Sequence, residues 1–352
     1  MMKSKTKFNL FLFTIVITCL LFWAGCSKKP AVDVHAAGYE EFEDGSIAAV
    51  YWKNGERKVL SNIPGSAWAN SITVNGSDVY IAGFVSDENG ILEAVYWKNG
   101  EKNVLTKDAI SAWAAAITVS GSDVYAAGRE MNSQGKFSGV YWKNGEKSYL
   151  SQGPLSSMAT AIAVVDSDVY VGGNDSNGEP AGVKAVYWKN GEETILTENS
   201  GNASVSAIAV SGSDIYIAGS EEAVNVYWKN GQKTAISDGS TISSIHSIAV
   251  SGNDVFTAGR EINESGKAVA VYWKNKKKTV LTEENHSGQA TSISVGGSDG
   301  LIGPDCYVGG RDTDQNNVSS AVYWKNNVKT ILPRGAGVTS STVNDIFIVV
   351  KK

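Results

Sequence analysis

Val140-Tyr141-Trp142-Lys143-Asn144-Gly145 is one of five near-identical hexapeptides, at residues 50–55, 95–100, 140–145, 186–191 and 226–231. Two worn copies follow at 271–273 and 322–324. The tryptophans they carry, Trp52, Trp97, Trp142, Trp188, Trp228, Trp273 and Trp324, are spaced by 45, 45, 46, 40, 45 and 51 residues. Recurrence at this period marks a supersecondary unit that cannot bury its own apolar face and stacks on copies of itself.

Outward from the hexapeptide, each unit reads as four short strands, A to D. In residues 116–150, Ala116-Ile117-Thr118-Val119 is a β-rich run and Ser120-Gly121-Ser122-Asp123 is turn chemistry. Val124-Tyr125-Ala126-Ala127-Gly128 is the second strand, and a polar connection leads to Gly139-Val140-Tyr141-Trp142-Lys143. Asn144-Gly145 then supplies the two φ > 0 positions of a type I′ hairpin, before Ser148-Tyr149-Leu150. The A–B and C–D connections are tight, whereas the B–C and D–A connections vary. A short B–C loop at 220–225 accounts for the spacing of 40, and an A–B insertion at 300–304 for the spacing of 51.

Four strands per repeat of about 40–50 residues define the blade of a β-propeller. The expected fold is therefore all-β, a seven-bladed propeller of four-stranded antiparallel blades over residues 33–352. The register is offset: the chain enters at a strand B (residues 33–38) and ends in A- and B-like pieces around 339–350. Ring closure then comes from the C-terminal segment completing the first blade, with 33–38 and 345–350 as rival candidates for its strand B.

The repeats resemble those of kelch-type propellers, and more closely bacterial extracellular repeats of the HAF type. The small residues ending strand B (Ala127-Gly128, Gly172-Gly173, Gly309-Gly310) and the apolar-Trp-x-x-Gly strand-turn followed by Leu carry the likeness. Here the Trp precedes the C–D turn, whereas in kelch repeats it follows. The resemblance implies a propeller and often a binding role, with no single activity.

With 352 residues, 42% apolar content and a net charge of −5, the chain can bury a large core and carries no nucleic-acid footprint. Residues 1–25 read as a secretory leader: Lys3, Lys5 and Lys7, then an apolar run from Leu10 to Phe22, then Ala24-Gly25. Trp23-Ala24-Gly25-Cys26 resembles the lipobox of bacterial lipoproteins. That resemblance implies lipidation at Cys26, a tether over 26–32, and anchoring in the bacterial cell envelope with the membrane as partner. Cys306 would then be the lone cysteine of the processed chain, leaving no intramolecular disulfide.

Most recurring residues read as packing. The seven tryptophans are core, and the Asp of Ser-Asp-Val-Tyr (Asp78 and its repeats) is a turn residue bonding nearby backbone N–H groups. The histidines His35, His246 and His286 stand in unrelated positions without metal spacing. No phosphate loop, nucleophile elbow or His-Glu-x-x-His is found, so no cofactor, metal or catalytic residue is assigned.

Positions that differ between repeats are the candidate site. Before strand A stand Trp68, Trp113 and Met158, where other copies have Ser or Gln. After the strand-B glycine stand Phe84, Arg129, Arg260 and Arg311. One residue later comes a run of acids, Glu40, Glu130, Asp175, Glu221, Glu261 and Asp312, expected either to cap their own B–C hairpins or to form a carboxylate ring. These residues outline a ligand sector at the variable-loop mouth. The expected function is a lipid-anchored, non-catalytic module binding a glycan or peptide. The alternatives are a polysaccharide lyase or glycoside hydrolase using ring carboxylates, or a structural subunit of an envelope complex. On the opposite face, the hexapeptide lysines form a ring of seven cations suited to anionic lipid.

Overall fold

The computed structural model describes residues 31–351 apart from 62–64, 88, 107–108, 152–155, 177–181, 198–201 and 298–303. The leader and Cys26 lie outside the described residues. Among the described residues, twenty-eight strands form seven four-stranded antiparallel sheets arranged as a β-propeller.

Blade 1 combines β1 (Val32–Phe42), β2 (Ile47–Lys53) and β3 (Glu56–Val59) with the last strand of the chain. Blade 2 is β4 (Ala67–Asn75), β5 (Asp78–Ser86), β6 (Leu92–Lys98) and β7 (Glu101–Val104). Blade 3 is β8 (Ser111–Ser120), β9 (Asp123–Met131), β10 (Phe137–Lys143) and β11 (Glu146–Tyr149). Blade 4 is β12 (Ser157–Val165), β13 (Asp168–Asp175), β14 (Lys184–Lys189) and β15 (Glu192–Ile195). Blade 5 is β16 (Ala203–Ser211), β17 (Asp214–Glu221), β18 (Val224–Lys229) and β19 (Gln232–Ala235). Blade 6 is β20 (Ser243–Ser251), β21 (Asp254–Ile262), β22 (Ala268–Lys274) and β23 (Lys277–Val280). Blade 7 is β24 (Ser287–Gly296), β25 (Asp305–Thr313), β26 (Ser319–Lys325) and β27 (Val328–Ile331).

The ring is closed by β28 (Val338–Val350), which is the inner strand of blade 1 and pairs with β1 from Val32↔Val350 to Phe42↔Val338. This resolves the rivalry for the first strand B. Residues 33–38 fill it, and 345–350 belong to one continuous strand A rather than to a second B-like piece.

The seven tryptophans of the repeated Val-Tyr-Trp motif are the inter-blade core, all at most 3% exposed. Trp97 packs with Ala37, Ala49 and Leu60 of blade 1, and Trp142 with Ala82, Ala94 and Leu105 of blade 2. Most of these indoles fill a socket of small residues plus one leucine on the preceding blade, whereas Trp273 meets Tyr216, Ala218 and Ile236. Truncating such a side chain to Ala costs about 3–5 kcal/mol.

Every strand A carries a bulged residue at the same repeat position, Asn344, Asn70, Ala115, Thr160, Ser206, His246 and Thr291 in blades 1 to 7, and β28 has a second at Thr339. The bulge bends strand A, and the carbonyl two residues earlier lies close against strand B. A Cβ at Gly83 would overlap the Trp68 carbonyl oxygen, which is the physical reason for the strand-B glycine. The C–D hairpins adopt the anticipated turn, with φ of 51° at Asn54 and 88° at Gly55. Blades 6 and 7 keep it without glycine, at Asn275-Lys276 and Asn326-Asn327.

Candidate functional site

The tight-turn face is tied together by a repeated three-residue lock. In blade 2, Asn99 Nδ2 donates to Asp78 Oδ1 at 2.9 Å, Asn99 Oδ1 accepts from Val79 N at 2.9 Å, and Lys98 Nζ sits 3.0 Å from Asp78 Oδ2. Asn99 and Lys98 hold the Asp78 carboxyl below the usual aspartate range. The lock recurs in all seven blades, with Lys–Asp separations of 2.7–3.9 Å. Two expectations change. The aspartate is not a local turn residue but a clasp from the A–B turn to the C–D hairpin. The lysine ring is not a free cationic surface, because each lysine faces an aspartate.

The acids after strand B are likewise corrected. They neither cap their hairpins nor ring the mouth; they turn outward to cations on strand D. Glu40 is fully buried against Arg57 and also accepts from Gly335 N at 3.1 Å. Glu130 meets Lys147 at 2.8 Å, Glu221 meets Lys233 at 2.8 Å, and Glu261 meets Lys278 at 2.5 Å. Asp312 is held by both Lys329 at 2.8 Å and His286 at 2.7 Å. These pairs neutralise the carboxylates that a lyase or glycoside hydrolase would need free. Blade 4 breaks the pattern. Glu193 stands where the other blades have Arg57, Lys102, Lys147, Lys233, Lys278 and Lys329. Burial first, then Asp175 beside it, raise the Glu193 carboxyl above the usual glutamate range.

At the mouth, the aromatic residues do gather. Tyr39, Trp68, Phe84, Trp113 and Phe137 form a chain of ring contacts 4.8–6.2 Å apart, crossing blades 1 to 3. Arg129 lies over Trp113 at 3.3 Å and Phe137 at 4.0 Å, and its Nη1 is 3.6 Å from Met158 Sδ. Its Nε is buried without an acceptor, and desolvation brings the guanidinium down to about 10. All of these rings are half-buried, so they pack on one another as well as facing the rim. Arg260 and Arg311 sit apart, in blades 6 and 7, and Glu130, Glu261 and Asp312 do not reach this cluster.

The channel on the axis holds a cavity of about 360 Å³ lined by the same window of every inner strand. The bulged residues form a belt around it. Asn70, Thr160, His246, Thr291 and Asn344 each donate to a carbonyl of the next blade, at 2.6–2.9 Å. Asp345 adds the one acid of this lining. It accepts from Ile72 N at 2.9 Å and Ser292 Oγ at 2.6 Å, and its position in the heart of the ring raises its pKa.

A second cavity, of about 310 Å³, opens between blades 5 and 6. Its cause is the short B–C connection of blade 5, a two-residue turn at Glu222-Ala223 with φ of 49° and 68°. Ser244 and His246 line it, 3.0 Å apart. Reading the sequence missed this pair and the belt. The available signal was the column of Asn, Thr, Ser and His at one repeat position, which breaks the otherwise apolar strand A. Among the described residues no group of three metal-ligating side chains is found, and no helix is long and apolar enough to cross a membrane.

No family model and no curated protein matches the chain. Solved structures do. A puromycin-hydrolyzing peptidase of Mycobacterium tuberculosis aligns with 13% identity and a TM-score of 0.58, covering 86% of this chain and 52% of that one. An acylaminoacyl peptidase of Pyrococcus horikoshii aligns with 11% identity and a TM-score of 0.53, covering 86% and 50%. The β-propeller domain of the Trilobed protease from Pyrococcus furiosus aligns with 10% identity and a TM-score of 0.58, covering 86% and 94%. The chain thus spans about half the length of the first two. That third propeller is described as having an open velcro topology, whereas β28 closes this ring within blade 1. At these identities the likeness establishes the fold. It also overturns the expectation of a non-catalytic module binding a glycan or peptide, because these neighbours are peptidases or the propeller domain of a protease.

Proposed function

We propose that this chain is a protease-associated propeller, a companion that covers a separate peptidase and restricts what reaches it through the axial channel. One observation carries this reading: the propeller matches those of peptidases over 86% of its length. The channel suits passage rather than retention, since its belt side chains are spent on inter-blade bonds. The half-exposed ladder from Tyr39 to Met158 would then face the peptidase. In the same proposal the repeats are of the HAF or kelch-like type, and a lipid on Cys26 holds the chain at the bacterial envelope.

The test is purification of the tagged full chain from cross-linked envelopes, with peptidase activity measured in the eluate. We expect a peptidase of separate mass whose hydrolysis of an unfolded protein, such as casein, changes when the propeller is removed, while hydrolysis of a dipeptide ester does not. An eluate without peptidase activity, or one indifferent to the propeller, rejects the reading. For the anchor, Cys26→Ser should abolish palmitate labelling and release the protein from membranes; continued membrane association rejects it.

A further inference from the structure

The notch between blades 5 and 6 contains a serine aimed at an imidazole. Ser244 and His246 lie two residues apart on β20, with Ser244 Oγ 3.0 Å from His246 Nε2. The other imidazole nitrogen, Nδ1, is 2.8 Å from the carbonyl oxygen of Ala290. A carbonyl oxygen cannot donate, so Nδ1 carries the proton at that distance, and Nε2 is left with its lone pair. Gln289 Nε2 is also 3.4 Å from Nδ1, too long to compete with the 2.8 Å bond. The Ser244 hydroxyl therefore donates to Nε2. Desolvation lowers the imidazole pKa, the Ala290 carbonyl opposes this, and Arg260 adds to it, so the ring is neutral near pH 7.

This is the arrangement a nucleophile needs: hydroxyl to base, and base to a third group that fixes its tautomer. Other serines of the notch are engaged differently. Ser204 and Ser220 bond one another at 2.8 Å, and Ser243 Oγ accepts from Asn225 Nδ2 at 2.7 Å. Arg260, the cross-strand partner of Ser244, brings a positive charge to the same rim.

We infer that Ser244 is a nucleophile for acyl transfer, with His246 as its general base, acting on small acyl esters that fit the notch. Ser244 Oγ bonds to the ester carbonyl carbon while its proton passes to His246 Nε2. The bond from carbon to the leaving oxygen then breaks, and the imidazolium returns the proton to that oxygen. Water repeats the sequence on the acyl-serine, giving the carboxylic acid and restoring the hydroxyl. The inference is independent of any peptidase partner.

The test treats the purified full-length chain with a biotinylated alkyl fluorophosphonate and maps the labelled peptide by mass spectrometry. One modification, on Ser244, is expected. Ser244→Ala should lose it entirely. His246→Asn should slow labelling about 100-fold, the lower range for a general base. Asn fills the same bulge in blades 1 and 2 and makes the same belt bond there, so this variant should keep the wild-type melting temperature. Hydrolysis of p-nitrophenyl acetate should follow the labelling. Absence of label on wild-type Ser244, or labelling that is unchanged in His246→Asn, overturns the assignment, and neither result depends on a variant's stability.

Discussion

Asp345 and Ser292, on neighbouring inner strands, meet at 2.6 Å, and the other oxygen of the same carboxyl accepts from Ile72 N at 2.9 Å. One side chain in the closing strand thus holds blades 7 and 2 to blade 1. Ser247, in the same column, bonds the following blade through Ile293 N at 3.1 Å. Asp345→Asn replaces one acceptor oxygen by an NH₂ group facing N–H or O–H donors, and should cost about 1–3 kcal/mol. Because burial raises the Asp345 pKa, its contribution is full below the ordinary aspartate pKa of 3.8 and is lost as pH rises through the folded value. The advantage of wild type over Asp345→Asn in denaturant melts should therefore shrink from pH 4 to pH 7. An advantage that grows with pH would show that the carboxylate, not the acid, is the stabilised form.

Removing residues 344–352 strips the pairing of β1 with β28 from Asp345 to Val350, together with buried Ile346, the belt residue Asn344 and the clasp of Asp345. Loss of one buried isoleucine costs about 2–5 kcal/mol, against a typical domain stability of about 5–15 kcal/mol. The truncated chain should show no cooperative thermal transition by circular dichroism. A transition within a few degrees of wild type would mean the ring holds without its closure.

Glu193 offers a gain. Glu193→Lys restores in blade 4 the strand-D cation of the other six blades and replaces the like charge beside Asp175 by an opposite one. We expect stabilisation of about 1 kcal/mol at pH 7. Wild-type Glu193, with its pKa raised, contributes fully below the glutamate range and loses that contribution as pH rises through the folded value. The benefit of the substitution should accordingly widen from pH 4 to pH 7, read as the difference in urea midpoints.

The aromatic ladder is part of the fold as well as of the rim. Trp68 stacks on Phe84 at 4.8 Å and Trp113 supports Arg129 at 3.3 Å, so Trp68→Ala and Trp113→Ala should each cost about 2 kcal/mol or more. They are joined through Phe84, and the double variant should depart from additivity by about 0.5 kcal/mol or more. Additive losses in a double-mutant cycle would show that the rings act separately.

Much of the architecture was legible because it repeats. Seven Trp-bearing copies, five of them near-identical hexapeptides, and seven Asn-centred turns fix strands, hairpins and blade number through local rules of alternation and φ. The direction of the acids was not legible. Glu130 and its equivalents meet their cations 12 to 17 residues away across strand C, a distance no local rule spans. The locks were hidden in the same way, since Asp78 and Asn99 are joined only after β5 and β6 pair. Blade 4 shows the reverse case: Glu193 was visible as an exception to a column of cations, but the column acquired meaning only with its partner acids. Ser244 and His246 stand two apart on one strand, and the tautomer that orients them depends on Ala290 in the next blade.

The closing strand has a mechanical consequence. Lys351 N donates to Ala31 O at 2.7 Å, so residues 31 and 351 leave the body side by side. β1 lies between β28 and β2, bonded along both edges. With a lipid on Cys26 as proposed above, tension entering ahead of Val32 would run along β1, and both ladders would have to slide at once instead of opening one bond at a time. The point from which the propeller would hang is thereby its clamp against being pulled apart by drag.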